Sequence, residues 1–193
     1  TSAIQLRGLP KRYSTVYIDG VKMSDPSSVS NDFDFNNILT SQISRVEILK
    51  GNQSSVYGSG AIGGTINITT KKGQEGFQKN FIYNTASHGT HNLGAAFSGA
   101  DKNQDFYVGL ERFQTDGISA MTHNDEKDRY RNNSLVANYG HQILDQLKFE
   151  SNIRVAETYL QYDAEDNNPA DKSHSEEADA VESSSSVALI YKP

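Results

Sequence analysis

The chain has 193 residues, enough for one domain or two small ones, and a formal net charge of −6. That charge excludes a broad electrostatic attraction to nucleic acid, and the lack of cysteine excludes disulfides and thiolate metal sites. No apolar run approaches the ~20 residues of a membrane helix.

Apolar content is modest, while Gly, Ser, Asn and Tyr are abundant, a mixture that suits many strands joined by turns. No signal peptide opens the chain, and both ends read as cut, so a fragment is expected. In chain order, STVYIDGV (14–21) is a β-branched run closing on the turn signal Asp19-Gly20. NDFDFNNI (31–38) carries the Asp and Asn of turns and caps. SQISRVEILKG (41–51) reads as a short turn and a strand Arg45–Leu49 stopped by Gly51. NQSSVYG suits one helical turn, and GTINITT (64–70) alternates as a strand.

After Lys71-Lys72-Gly73 the pattern changes to long alternating runs. The clearest is 145–162. Leu147, Phe149, Ile153, Val155 and Tyr159 fall on one face, with Ser151 and Glu157 as exceptions, and Lys148, Glu150, Asn152, Arg154 and Thr158 fall on the other. Extended, this run reaches about 55 Å at ~3.3 Å per residue, well beyond the ~6 residues of an ordinary strand. Further runs fill 76–87, 91–100, 104–115, 131–142 and 182–192. Short connections (HGT, DKNQ, ILD) mix with long polar ones at 116–130 and 163–180. Short turns at one end and long loops at the other are the pattern of an outer-membrane barrel. Phe77, Tyr83, Phe113, Tyr139, Tyr159 and Tyr162 near strand ends would serve as interfacial girdles. A soluble β-rich binding module, such as an adhesin or carbohydrate binder, is the alternative.

Gly58, Gly60 and Gly63 spell G-x-G-x-x-G, the spacing of a dinucleotide-binding turn. That site needs a helix opening at the last glycine and an acidic residue about 20 positions on. Here a strand follows, and NFIYNT (80–85) has no acid. The glycines are instead expected to allow sharp turns and close backbone packing.

LRGL (6–9), VYIDGV (16–21) and ISRVEILKGNQSSVYGSGAIGGTINITTKKG (43–73) resemble the second half of the plug of a TonB-dependent outer-membrane receptor. TDGISA (115–120) and NDEKDRYRNNS (124–134) resemble that family's second external loop and the strand after it. The resemblance implies a mainly β fold: a segment of a transmembrane antiparallel β-barrel, about six strands of 22, with part of an α+β plug domain. Residues 1–73 would be the C-terminal half of the plug and 74–193 the first strands and loops of the barrel. It further implies a receptor of the bacterial outer membrane without enzymatic chemistry. Such a receptor imports scarce nutrients (ferric siderophore, haem or vitamin B12, that is, cobalamin) and is energised by the proton-motive force through TonB. The TonB-contacting box matches nothing in these residues. Outer-membrane lipid is a further expected partner, nucleic acid is not, and no cofactor is required.

The same resemblance supplies candidate sites. The loop MSDPSSVSND (23–32) matches the apical plug loop, with Ser27, Ser28, Val29 and Ser30 as ligand contacts; an ordinary polar turn at Asp25-Pro26 is the alternative. Asp116, Asp125, Glu126 and Asp128 in one loop, with Tyr162, Asp163 and Asp171 in the other, are similar in placement to the calcium ligands of the family's vitamin B12 receptor. Calcium takes six to eight oxygens; a solvated acidic loop is the alternative. His88, His91, His123, His141 and His174 are scattered and read as surface residues. Asp19 and Arg45 are expected to pair inside the plug.

Overall fold

The computed structural model describes residues 4–6, 8–25, 33–58, 60–118, 127–163 and 175–193. Its strands form two sheets.

The first is small and mixed. β1 (Ser14–Ile18) turns through Asp19-Gly20 into β2 (Val21–Met23). Both turn residues have positive φ, 48° and 81°, the backbone that a two-residue Asp-Gly hairpin requires. β3 (Ile43–Lys50), a one-turn helix α1 (Ser54–Tyr57) and β4 (Gly64–Thr70) follow, and the order across the sheet is β2-β1-β4-β3. β1 and β4 pair in parallel and lie at the centre. Val16, Ile18, Ile66 and Ile68 therefore form the core with Leu6, Met23 and Phe33. Burying four β-branched side chains on a central pair contributes roughly 1.5–3 kcal/mol each. Thr15 and Thr65 share a buried hydroxyl contact of 3.1 Å across the same pair.

The second sheet has six antiparallel strands in chain order: β5 (Gly76–Ala86), β6 (Thr90–Ala100), β7 (Gln104–Thr115), β8 (Tyr130–Leu144), β9 (Leu147–Asp163) and β10 (Ser175–Tyr191). Each pairs with its chain neighbour. The β5–β6 turn places His88 and Gly89 at positive φ. At the β6–β7 turn Asp101 accepts backbone N–H bonds from Asn103 and Gln104 at 2.8 and 2.9 Å, a side-chain turn that fixes the reversal.

The period of two divides this wall. Tyr107, Glu111, Asn132, Ser134, Asn138 and Arg154 are buried on the inner face, against the small sheet. Phe81, Leu93, Leu110, Ile153, Val187 and Leu189 are exposed on the outer face. A polar interior and an apolar exterior are the reverse of a soluble sheet and fit a wall in lipid.

Three expectations need correction. The long connection read as 163–180 ends earlier, because β10 begins at Ser175 and pairs with β9 from Asp163 onward. Backbone pairing carries Glu176, Glu177 and Asp179 into the strand despite their charge. Phe113 pairs with buried Asn132, and Tyr162 shares the parity of Arg154 and Thr158. Both tyrosine and phenylalanine thus lie on the inner face and not in an outer girdle. The Asp19–Arg45 pair does not form. The Asp19 carboxylate accepts from the Thr70 amide at 3.0 Å and hydroxyl at 2.6 Å, while exposed Arg45 lies 3.6 Å from Glu47.

Candidate functional site

The working surface of the described residues is the junction between small sheet and wall. It is built on chain turns, whose backbone groups need partners. Asp34 caps the 3-10 turn Phe35–Asn37 by accepting the Asn36 amide. The turn's outward carbonyls then meet the wall. Asn36 O accepts from Tyr130 Oη and, at 3.2 Å, from Asn132 Nδ2. Asn37 O accepts from the Arg154 guanidinium, and Asn37 Nδ2 donates to Glu182 Oε2 at 3.0 Å. Arg154 and Glu182 themselves pair at 3.2 Å.

A second grip lies along the next turn. Ser41 donates to Glu111, and Gln42 Nε2 donates to Ser134 Oγ at 2.8 Å. At the end of β4, Asn138 Nδ2 donates to Thr70 Oγ1 and Lys71 O, both at 2.7 Å. Lys72 then pairs with Glu150 at 3.2 Å. Sequence reasoning gave these inner-face polar residues no partners. The signal was present as Asn132, Ser134 and Asn138 on alternate positions of β8, interrupted by Val136.

The grip runs through β7 to β10, and a cavity of about 490 Å³ lies between residues 41–44 and 71–74 and the strands β5 and β6, lined by Gln78, Asn80, Ser98 and Tyr107. At the hand-over Gly73 presses against β6 and β7, and a Cβ there would come 2.7 Å from Phe106 O.

The glycine cluster is a packing device. A Cβ on Gly60 would meet Thr15 Cγ2 at 3.1 Å, and one on Gly63 would meet Tyr13 O at the same distance. Gly63 N donates to Tyr13 O at 2.8 Å, and the segment opens into β4, a strand.

Ser27, Ser28, Val29 and Ser30 lie outside the described residues, as do Asp125, Glu126 and Asp171. Met23 and Phe33, which flank the 27–30 segment, are both buried in the small sheet's core. Asp116 N donates to His88 O at 2.9 Å, tying the residues after β7 to the β5–β6 turn. The Asp116 carboxylate accepts from Lys127 at 3.0 Å, and this bond holds it below the usual carboxylate range. Asp128 stands beside Gly117, Tyr162 lies near the end of β9, and Asp163 is that strand's last residue. Among the described residues no three acidic or histidine side chains gather as a metal site. His91 contacts Tyr83 at 3.5 Å, and His141 stacks on Tyr139 with ring centroids 6.4 Å apart.

A small mixed sheet hydrogen-bonded to the polar face of an outward-apolar antiparallel wall is the arrangement of a plug against part of an outer-membrane barrel. Residues 1–65 match the family model of the TonB-dependent Receptor Plug Domain. Among curated proteins, the vitamin B12 transporter BtuB of Photobacterium profundum is 29% identical over 148 residues, covering 75% of this chain and 24% of the relative. BtuB of Vibrio cholerae is 26% identical over 167 residues, covering 84% and 27%. Among solved structures, the ferric enterobactin receptor of Pseudomonas aeruginosa (PfeA) superposes with a TM-score of 0.65 at 20% identity, covering 80% of this chain and 26% of that one. The siderophore receptor PirA of Acinetobacter baumannii gives 0.66 at 18% identity, covering 81% and 25%. Through the plug model over residues 1–65 and these relatives, the chain is similar to TonB-dependent outer-membrane receptors. It spans about a quarter of the length of the curated relatives it matches.

Proposed function

We propose that the chain supplies plug and wall to an importer of scarce, bulky nutrients, cobalamin or an iron chelate such as a ferric siderophore or haem, driven through TonB. The observation that carries this is the polar grip between the plug sheet and the wall. Amide and hydroxyl side chains hold Asn36, Gln42 and Thr70 against β8, at roughly 0.5–1.5 kcal/mol each, and the charged Arg154 and Glu182 hold Asn37 against β9 and β10, at roughly 1.5–3 kcal/mol each. A plug fixed by exchangeable bonds, with a cavity of about 490 Å³ between it and β5–β6, suits a part that must rearrange and return. The sequence relatives named vitamin B12 transporters support cobalamin. The structural likeness to siderophore receptors supports the fold alone. The test is uptake by a strain lacking the receptor and complemented with the intact gene. Labelled cyanocobalamin and ferric siderophores are supplied separately, with TonB present or deleted. TonB-dependent accumulation of one of them is expected; accumulation unaffected by TonB overturns the reading.

Within the same proposal, Ser27, Ser28, Val29 and Ser30 contact the ligand at the plug apex. Ser28→Trp should then weaken ligand binding at least tenfold while leaving the receptor folded. Calcium on the acidic loops is a separate proposal, and transport as described does not depend on it. Its donors are Asp116, Asp125, Glu126, Asp128, Tyr162, Asp163 and Asp171. Asp116 is held by Lys127, so a cation there must displace an ammonium. Lys127→Ala should tighten calcium binding measured by calorimetry on the intact receptor; unchanged affinity removes Asp116 from the site.

A further inference from the structure

Glu111 on β7 is a buried carboxylate of the wall's inner face, 8% exposed, and it accepts from the Ser41 hydroxyl of the plug. It stands opposite Ser134 on β8 and Gly94 on β6. A Cβ on Gly94 would lie 3.5 Å from Glu111 Cγ, so the glycine leaves that flank of the side chain open. No cation pairs with Glu111 among the described residues, although a buried carboxylate is costly without a counter-charge.

Lys71, Lys72 and Lys79 border the same cavity of about 490 Å³. Lys72 is taken by Glu150 at 3.2 Å. Lys79 carries its ammonium over the Phe77 ring on the outer face. Lys71 is exposed, and its ammonium has no ion-pair or hydrogen-bond partner among the described residues.

The backbone decides which of these groups stay together when the plug moves. Lys71 N donates to Gln42 O at 3.0 Å, so the lysine starts beside the turn that holds Glu111. Lys71 O is held by Asn138 of the wall at 2.7 Å. Gly73 is wedged against β6 and β7, where a Cβ would come 2.2 Å from Gly99 O and 2.7 Å from Phe106 O. Withdrawal of the Thr40–Gln42 turn therefore takes Ser41 away from Glu111 and leaves Lys71 anchored to the same wall. The cavity gives its stem room to swing.

We propose that Lys71 is a positioning residue for plug movement: its ammonium takes the Glu111 carboxylate when Ser41 withdraws and releases it when the turn returns. The carboxylate then has a donor in both states, so displacing the turn strands no buried charge. The inference rests on the import reading and deepens it.

The test is TonB-dependent uptake of labelled ligand by the intact receptor over a range of concentrations, with ligand Kd and thermal midpoint measured on the same variants. The Lys71–Glu111 pair is absent at rest. Lys71→Gln should therefore leave Kd and midpoint unchanged and lower maximal uptake about fivefold, the size of an ordinary side-chain coupling. Lys71→Arg should retain most of the uptake. Glu111→Gln, which keeps an oxygen for Ser41, should match Lys71→Gln, and the double variant should be no worse than either single one. Unchanged uptake by Lys71→Gln overturns the proposal, as do losses that add in the double variant. A fall in midpoint that accompanies the loss of uptake in Lys71→Gln also overturns it and identifies a resting contact. Accumulation by the unsubstituted receptor that ignores TonB overturns the import reading instead.

Discussion

Single side chains show how depth in the membrane sets cost. Lys79 shares the outer face with Phe77 and Phe81, and its ammonium lies 5.4 Å over the Phe77 ring. It sits three residues into β5, so its stem can carry the charge to the near interface. A lipid-facing lysine costs about 2–4 kcal/mol at mid-depth and about 0–1 near the rim. Lys79→Leu should therefore shift unfolding in bilayers by under about 1 kcal/mol, and Ile153→Lys, on the exposed middle of β9, should cost about 2–4 kcal/mol. Asp19 acts differently. Its carboxylate satisfies the Thr70 amide where β4 leaves the sheet, and Asp19→Ala leaves that amide without its acceptor, at about 1–3 kcal/mol. Urea titration of the intact receptor reads both. The Asp116–Lys127 contact adds a pH dependence. Lys127 lowers the carboxyl pKa from its ordinary 3.8, so the contact's contribution is present above that value and is lost as pH falls through the lower folded value. Proteolytic cleavage between 116 and 129 should quicken on going from pH 5 to pH 3, and less so in high salt, which screens exposed charges.

At the level of elements, the grip on the Phe35–Asn37 turn depends on two strands at once. Arg154 on β9 and Glu182 on β10 pair with each other and with Asn37. Removing one partner leaves a buried charge, at about 3–5 kcal/mol, whereas an apolar replacement of both is often close to neutral. Arg154→Met should destabilise strongly, and Arg154→Met with Glu182→Leu should recover most of the loss in thermal unfolding. Much of this architecture is legible in the sequence. The alternation of β9 follows from one face meeting lipid, and the Asp19-Gly20 hairpin follows from φ preference. The start of β10 is not legible, because an edge strand borrows its order from backbone pairing with β9 whatever its side chains. The inner position of Phe113 depends on parity counted from buried Asn132, which composition near a strand end does not reveal. The partner of Asp19 is hidden because a turn at φ 48° aims the carboxylate along β4 and away from β3. Of the candidate site, the loop residues were found by resemblance, and the polar ladder of β8 needed the register.

For the whole molecule, two unpaired wall edges and an apolar outer face govern behaviour. β5 and β10 each present an unpaired edge among the described residues, and open edges template aggregation. The 193-residue chain expressed alone should elute in the void volume from detergent-free buffer and become smaller in detergent. A stable monomer without detergent would overturn the lipid-facing reading.

The ordering of the wall has a consequence for how it is made. Every pairing from β5 to β10 joins chain neighbours, so each new strand needs only the one just laid down, and loop closure stays short. The plug sheet closes differently: β1 must wait for β4, with Ser14 opposite Gly64. All four strands of that sheet lie within residues 14–70, so it can close without any wall strand. The wall can then be added one hairpin at a time, starting beside Gly73. Assembly in this order puts the stopper in place before the bottle is blown around it.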